Sequence, residues 1–411
     1  MPCLESGLRE ALLKDGCGIL EALLNQPGAL GTHRPEGKLH EFRERRVQSL
    51  LGSFTLRRGY YHTPEGSFFP MDEVLGLRDS YTPGLAKAVA RAAATDGSFD
   101  EAAQTLRIYA GVHIPSSQAR RITRQVAGEL AAWSDQRSDP RSEEVPTFYV
   151  ACDGTGVPMR KEETKDRRGR APDGTSATRE VKLGCIFTSH GLDKHQRPVR
   201  DQDSTTFVTS FENAETFGLQ LRKEARIRGV AKAQRRVFIG DGAHWIWNVA
   251  RINFPGAVQI LDFYHACEHL KNLADALWPR QPAKIEQVLK RWKTCLEEER
   301  LEAILSEAQA EKPRSGPRKE AVVREINYFR KNSTRMKYAT FKKEGLFIGS
   351  GVVEAGCKNA VGRRTKQSGM FWRVQGAQHI LDVRCSVLGG TYDAFWNHKA
   401  ETLTKILDRA A

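Results

Sequence analysis

Two apolar segments of the chain each close on an acid followed by glycine. TFYVACDG spans residues 147–154 and RRVFIGDG spans 235–242, placing Asp153-Gly154 and Asp241-Gly242 where a strand would stop. The carboxyl ends of strands are where α/β sheets gather their ligands, and glycine lets the backbone turn away and leave the carboxylate open. A third acid, Glu354, stands among small residues in SGVVEAGCKNAVGRR, one turn into what reads as a helix. Three carboxylates converging on one spot repel one another unless a cation lies between them. Mg²⁺ suits such a set, because it takes few carboxylates and completes its octahedron with water and phosphate oxygens. Two such ions, Mg²⁺ or Mn²⁺, about 4 Å apart would activate an attacking oxygen and stabilise a leaving one, which is phosphoryl-transfer chemistry. Asp-Gly is also a common turn, so pattern alone leaves both a catalytic triad and a pair of ordinary turns open.

Other residues carry chemistry less directly. Asp262 closes a further apolar segment, AVQILDF (257–263), and His265 follows it. Leu261 and Phe263 flank Asp262 more bulkily than glycines flank Asp241, so Asp241 is the expected second acid, with Asp262 and His265 as its support. His265 and His269 also share a helix face at a spacing that a zinc ion can use. Beyond Glu354 come Lys358, Arg363, Arg364, Lys366 and Arg373, with no acid before Asp382. That run reads either as a contact to a DNA backbone or as a solvated face. Phe371 and Trp372 beside Arg373 are placed to stack on a splayed base or to fill a core, while Trp245 and Trp247 read as core. Lys161 to Arg170 is a basic, glycine-containing excursion, open to the same two readings.

These residues need elements to hold them. The order from residue 147 is three strands, a helix (213–229), a strand, a helix and a strand, which is the order of a ribonuclease-H-like α/β fold. A long charged helix over 284–311, a break at Pro313–Pro317 and a second helix read as an all-helical insertion before Gly345, after which a helix carries Glu354. The expected organisation is an N-terminal helix and β-hairpin region (1–82), a helical DNA-binding region (83–140), the first part of the catalytic domain (147–279), the insertion (280–345) and the second part (346–400). Within the first region, 4–24 reads as an amphipathic helix with Leu8, Leu12, Ile19 and Leu23 on its apolar side, Pro27–Gly37 as a linker, and 48–69 as a hairpin turning at 64–66. Within the second, Ser98 is an N-cap with acids behind it, Gly111 marks a break, and a helix opening at Pro115 carries Arg120, Arg121 and Arg124. That pair reads as a helix-turn-helix or as a helical hairpin with a solvated basic face.

Lys and Arg number 64 against 50 Asp and Glu, a formal charge of +14, and such an excess suits a polyanionic partner. The eight cysteines are scattered without a Cys-x-x-Cys pair, which speaks against a zinc ribbon or a disulfide framework. No apolar run is long enough to span a bilayer and no signal peptide is visible, so no membrane partner is expected and the expected setting is intracellular and nucleic-acid-facing.

The strings YVACDGTGVPMRKEET, TREVKLGCIFT, RPVRDQDSTTFV, GDGAHWIWNVARINFPGAVQILDFYHACEHL and SGVVEAGCKNAVGRRTKQSGMFW resemble the ISKra-type insertion-sequence transposases, a group akin to Mutator-like DDE transposases. The resemblance runs from about Gln48 to about Leu388. It implies a ribonuclease-H-like domain interrupted by a helical insertion, and an acid triad at Asp153, Asp241 and Glu354. It also implies a Cys or Asp, two residues, then His after the second acid, which Asp262-Phe263-Tyr264-His265 matches. Relatives carry a Cys-x-x-Cys after paired tyrosines; here Tyr60-Tyr61-His62 is followed by Thr63 and Gly66, leaving the hairpin without those thiolates. The implied activity is metal-dependent cleavage and strand transfer on double-stranded DNA, at terminal inverted repeats and a target, by a homodimer or higher oligomer. A nuclease or resolvase of the same fold, and a non-catalytic DNA-binding regulator, are the alternatives.

Overall fold

The computed structural model describes residues 2–26, 37–138, 144–165 and 177–410. The linker expected at 27–37 lies outside them except for Gly37, as does the second half (166–170) of the basic excursion at 161–170. The chain divides into two compact units, Met1–Gln136 with Gln375–Ala411, and Arg137–Val374.

The first unit opens with α1 (Pro2–Asn25) and a three-stranded antiparallel sheet of β1 (Lys38–Gln48), β2 (Ser53–Thr63) and β3 (Gly66–Phe68). The main hairpin therefore joins β1 to β2, and the turn expected at 64–66 makes only its short third strand. The helix α1 packs Cys17, Leu20 and Leu24 against Val47, Phe54 and Leu56. The residues expected on its buried side point outward instead: Leu8, Leu12, Ile19 and Leu23 are exposed. After α2 (Pro70–Val74) come α3 (Pro83–Thr95), α4 (Phe99–Thr105) and α5 (Ser116–Gln136). Thr82 caps α3 and Ser98 caps α4, each accepting a backbone N–H three residues on, which satisfies a donor left free by the first turn. A π-helical turn then runs to Gly111, whose φ of +67° is open to glycine at little cost. Leu85, Val89 and Ala93 of α3 and Ile122, Val126 and Leu130 of α5 are buried, and the two helices pack together.

The second unit is built on a five-stranded mixed sheet in the order β10-β9-β4-β5-β8. Its strands are β4 (Val145–Pro158), β5 (Thr178–Ser189), β8 (Thr206–Ser210), β9 (Ala233–Gly240) and β10 (Val258–Leu261); β6 (Gly191–Leu192) and β7 (Pro198–Val199) form a separate ribbon. β4, β5 and β8 are antiparallel, while β9 and β10 run parallel to β4. From Phe148 to Cys152 every residue of β4 is buried, so hydrophobicity there is continuous rather than alternating. The connecting helices are α6 (Ala214–Ile227), α7 (His244–Asn253) and α8 (Phe263–Leu277).

The segment read as one helix over 284–311 is two, α9 (Pro282–Glu297) and α10 (Leu301–Ala310), broken at Glu299 with φ of +60°. They lead into α11 (Pro317–Asn332) and α12 (Tyr338–Lys343). Trp292, Ile304, Ile326, Phe329 and Tyr338 join the same core as the sheet, so these helices are a layer of the unit. The Tyr338 hydroxyl donates to the Leu261 carbonyl (3.0 Å) and Arg335 Nε to Gln259 Oε1 (2.8 Å), covering edge strand β10. The unit ends with α13 (Gly351–Gly356), a π-helical turn (Cys357–Gly362) and α14 (Arg363–Thr365).

The chain then returns to the first unit with α15 (Val374–Leu388) and α16 (Tyr392–Ala410). This corrects the expectation that 346–400 completes the α/β domain. Arg384 donates to the Ala94 carbonyl, the Tyr392 hydroxyl donates to the Lys87 carbonyl (2.8 Å), and Phe395 packs on Trp133. Among the described residues no helix is long and apolar enough to cross a membrane.

Candidate active site

Asp153 lies within β4 rather than at its end, because the β4–β5 pairing continues from Thr147↔Ser189 to Pro158↔Thr178. What ends beside Asp153 is its other neighbour. The parallel pairing of β4 with β9 stops at Cys152↔Gly240, so Asp153 and Asp241 occupy the next positions on adjacent strands. On the far side of β9, the Asp262 N–H donates to the Gly240 carbonyl (2.8 Å). Three aspartates thus stand in a row across one edge of the sheet.

Their surroundings differ. Asp241 Oδ1 accepts from the Ala243 N–H (2.8 Å), and Gly242 takes φ of +100°. Burial raises the Asp241 carboxyl above the ordinary carboxylate range; the Ala243 N–H and the His265 imidazole pull it down, and the charge of Asp153 adds to the rise. Asp153 Oδ1 accepts from the Gly154 N–H (2.6 Å), and its Oδ2 accepts from the Cys357 thiol (3.1 Å). Burial, then Asp153, keeps that thiol protonated. Asp262 is fully buried, and both of its oxygens are committed to backbone: Oδ1 accepts from the His265 N–H (2.6 Å), capping α8, and Oδ2 accepts from the Ser350 N–H. Asp262 therefore fastens the loop that starts α13 to the start of α8. His265 contributes its backbone N–H to that cap, while its imidazole faces Glu268 (3.4 Å).

Glu354 is on α13, which packs on β4 and β5. A Cβ on Gly356 would lie 2.9 Å from Cys185 Sγ and 3.1 Å from Leu183, so glycine sets the depth of that contact. Glu354 precedes Cys357 by three residues on a continuous helical stretch and so shares its face, and Cys357 touches Asp153. Glu354 itself is exposed. Among the described residues no three His, Cys, Asp or Glu side chains are grouped closely enough to hold a metal. The carboxylates expected to converge therefore comprise an adjacent pair, with the third one helical turn from the Cys357 contact. Two adjacent carboxylates, one with its protonation favoured by burial, fit a hard divalent cation in donor type; Glu354 would have to turn inward to join them.

The other expected contacts divide. Lys358, Arg363, Lys366 and Arg373 are exposed, and Lys366 Nζ donates to Thr155 Oγ1 (2.5 Å), two residues past Asp153. Arg364 is fully buried, with its guanidinium 5.2 Å from the Trp372 ring centre, which removes it from any surface. Trp372 is half-buried and donates its indole N–H to the Thr365 carbonyl (3.1 Å); the exposed ring is that of Phe371. Arg120, Arg121 and Arg124 are exposed on α5, with Arg121 paired to Asp79 (2.6 Å). His269 stacks on Tyr328 at 3.5 Å and hydrogen-bonds Glu325 (2.5 Å), a buried carboxylate, so it is engaged away from a zinc site.

Three residues here escaped sequence reasoning: Cys357, Lys182 and Tyr328. Buried Lys182, opposite Gly154 in the ladder, donates to the Glu212 carbonyl (2.9 Å). The Tyr328 hydroxyl donates to the Asp241 carbonyl (2.8 Å), and its ring lies where a Cβ on Gly242 would be, at 2.7 Å. Burial and the charges of Asp241, Asp262 and Glu325 keep that phenol protonated, so it remains a donor.

The unit is thus a mixed α/β domain with an acidic sheet edge. Residues 3–172 match an uncharacterised protein family (UPF0236), to which this part of the chain is similar. No curated protein matches the chain.

Proposed function

We propose that the second unit is a ribonuclease-H-like domain and that the chain is a DNA transposase, cutting element ends and joining them to target DNA. The observation that carries this reading is the placement of Asp153 and Asp241 at consecutive positions past the Cys152↔Gly240 pair, beside the Cys357 thiol, which lies three residues past Glu354 on the same helical stretch. The strand order supports the fold: three antiparallel strands, then two parallel to the first, separated by helices.

Asp153 and Asp241 would hold a divalent cation, Mg²⁺ or Mn²⁺, with Glu354 completing the set; bound there, the metal supplies Lewis acidity and an activated oxygen for phosphoryl transfer. The protein's own residues do the positioning. Asp262 ties the Glu354 helix to the sheet edge, Tyr328 fixes the Asp241 carbonyl, and Lys358 and Lys366 offer cationic contacts to a DNA backbone.

The test uses labelled DNA carrying the inverted repeats that flank the coding region. Cleavage requires Mg²⁺ or Mn²⁺, stops in EDTA, and is lost in Asp153→Asn, Asp241→Asn and Glu354→Gln while DNA binding persists. Ca²⁺ supports binding without turnover. Joining of a pre-cut 3′-hydroxyl end to a plasmid separates a transposase from a nuclease or resolvase. Binding without any metal-dependent cleavage would leave the regulator and refute catalysis.

A further inference from the structure

The first unit presents a surface that its own fold leaves uncovered. Helix α1 uses Cys17, Leu20 and Leu24 against the sheet, yet Leu4, Leu8, Leu12, Ile19 and Leu23 on its other side are 53–74% exposed. The helix is anchored: Asn25 exchanges hydrogen bonds with the Thr55 carbonyl and the Arg57 N–H (2.7 Å each), and Arg9 donates to the carbonyls of Ile108 and Tyr109. The five side chains fall on one stripe at helical spacing, on the order of 500 Å² of apolar surface, near the upper end of what monomers expose.

We propose that this stripe pairs with the same stripe of a second copy of the chain, the two α1 helices running antiparallel. The spacing identifies the occupant. Leu4, Leu8, Leu12, Asp15, Ile19 and Leu23 are separated by steps of four, four, three, four and four, which read the same in both directions. About a two-fold axis between residues 13 and 14, Leu4 meets the second copy's Leu23 and Leu8 meets its Ile19. A two-fold contact demands this self-complementarity, since residue i touches j and j touches i. In this arrangement Asp15 stands opposite Leu12 with the second copy's Asp15 about 4.5 Å away along the axis, so the apolar pairing comes from the two ends of the stripe. Gly7, Ala11, Gly18 and Ala22 flank the stripe, and a Cβ on Gly7 or Gly18 would have nothing within 4 Å, so a second helix has room to approach. Two stripes together bury roughly 1,000 Å², the threshold for a specific interface.

Sedimentation of the full chain without DNA tests this over roughly 1–100 µM. The wild-type chain is expected to dimerise, and Leu8→Glu to raise the dissociation constant at least about 100-fold by burying a charge, with its circular dichroism unchanged. In a Cys3→Ser background, Leu8→Cys with Ile19→Cys should form an intermolecular disulfide. Leu8→Cys alone should not, because antiparallel copies hold the two residues 8 about 16 Å apart. A chain that stays monomeric, a dimer indifferent to Leu8→Glu, or a crosslink from Leu8→Cys alone would each overturn the proposal. None of these outcomes involves cleavage, so the result stands apart from the catalytic reading.

Discussion

At the scale of single residues, buried acids divide by what compensates them. Asp262 spends both oxygens on backbone N–H groups, so removing it leaves two buried donors without partners. Asp262→Ala should therefore destabilise the second unit by about 2–4 kcal/mol in urea unfolding, with Asp262→Asn milder because it keeps one acceptor. A stability loss no larger than that of a surface Asp→Ala control would contradict the tie. Asp382 is the opposite case. Burial pushes its carboxyl up to about 7, and the Gln378 amide donating to Oδ1 (2.7 Å) offsets this only in part. Its ordinary value is 3.8, so the folded state holds the proton more tightly than the unfolded chain. The stability contributed by that proton is complete below about pH 4 and is lost as pH rises through about 7. Asp382→Asn should remove this dependence and make the chain more stable at pH 8, by at most about 4 kcal/mol, with little change at pH 4. Equal stabilities of the two proteins at pH 8 would refute the assignment.

At the scale of elements, helix α11 does more than cover the sheet. It sends Tyr328 to the turn that carries Asp241, with His269 stacked behind the ring and Glu325 bonded to His269. Burial alone would raise the Glu325 carboxyl, but the hydrogen bonds and charges of His269 and Arg324 hold it below the ordinary range, so the bracket stays ionised. Tyr328→Phe deletes one hydrogen bond, worth about 1 kcal/mol, and should speed amide exchange at Gly242 and Ala243 and slow cleavage about tenfold. Tyr338→Phe, which frees the Leu261 carbonyl instead, should cost similar stability without the catalytic loss. Equal effects of the two on cleavage would deny Tyr328 a positioning role. None of this was legible in the sequence, since Tyr328 and Asp241 are 87 residues apart and only the fold brings them together. Local signals read better: Ser98 caps its helix as its chemistry suggests, the helix expected from 213 starts at Ala214, and the apolar segments at 147–153 and 235–241 form strands. Ambiguity arose where pattern has two solutions. The helix α1 is apolar on two sides, so periodicity cannot choose which is buried, and a break at Glu299 has no glycine or proline to announce it. Arg364 looks like its neighbours in a basic run, yet it alone of the five expected there is buried.

At the scale of the whole molecule, a charge of +14 has to be distributed before it becomes a binding surface. Some of it is already spent. Arg58 and Arg45 share Asp72, Lys399 pairs with Glu129, and Arg364 is inside the second unit. Exposed on α5, Arg120 and Arg124 differ from Arg121, whose guanidinium is 2.6 Å from Asp79. For Arg121 to neutralise a phosphate it must first leave that carboxylate, whereas an exposed pair of this kind costs at most about 1 kcal/mol to break. Each phosphate contact on duplex DNA contributes about 0.9 to the slope of log K against log salt. Arg120→Ala with Arg124→Ala should therefore lower the slope by about 1.8 and weaken binding most at low salt. Adding Arg121→Ala should lower it by less than a further ~0.9, because a cation that Asp79 already partly neutralises releases less than one full counterion equivalent on meeting a phosphate. Asp79→Asn is the complementary arm: it releases Arg121 and should tighten binding modestly while steepening the slope. If these arginines position the chain on the backbone, the losses will be the same on element ends and on unrelated duplexes; a loss confined to element ends would instead assign them to base recognition. Fluorescence anisotropy across a salt series measures all four proteins on both duplexes. A slope unchanged in the double variant would remove α5 from the DNA-binding surface.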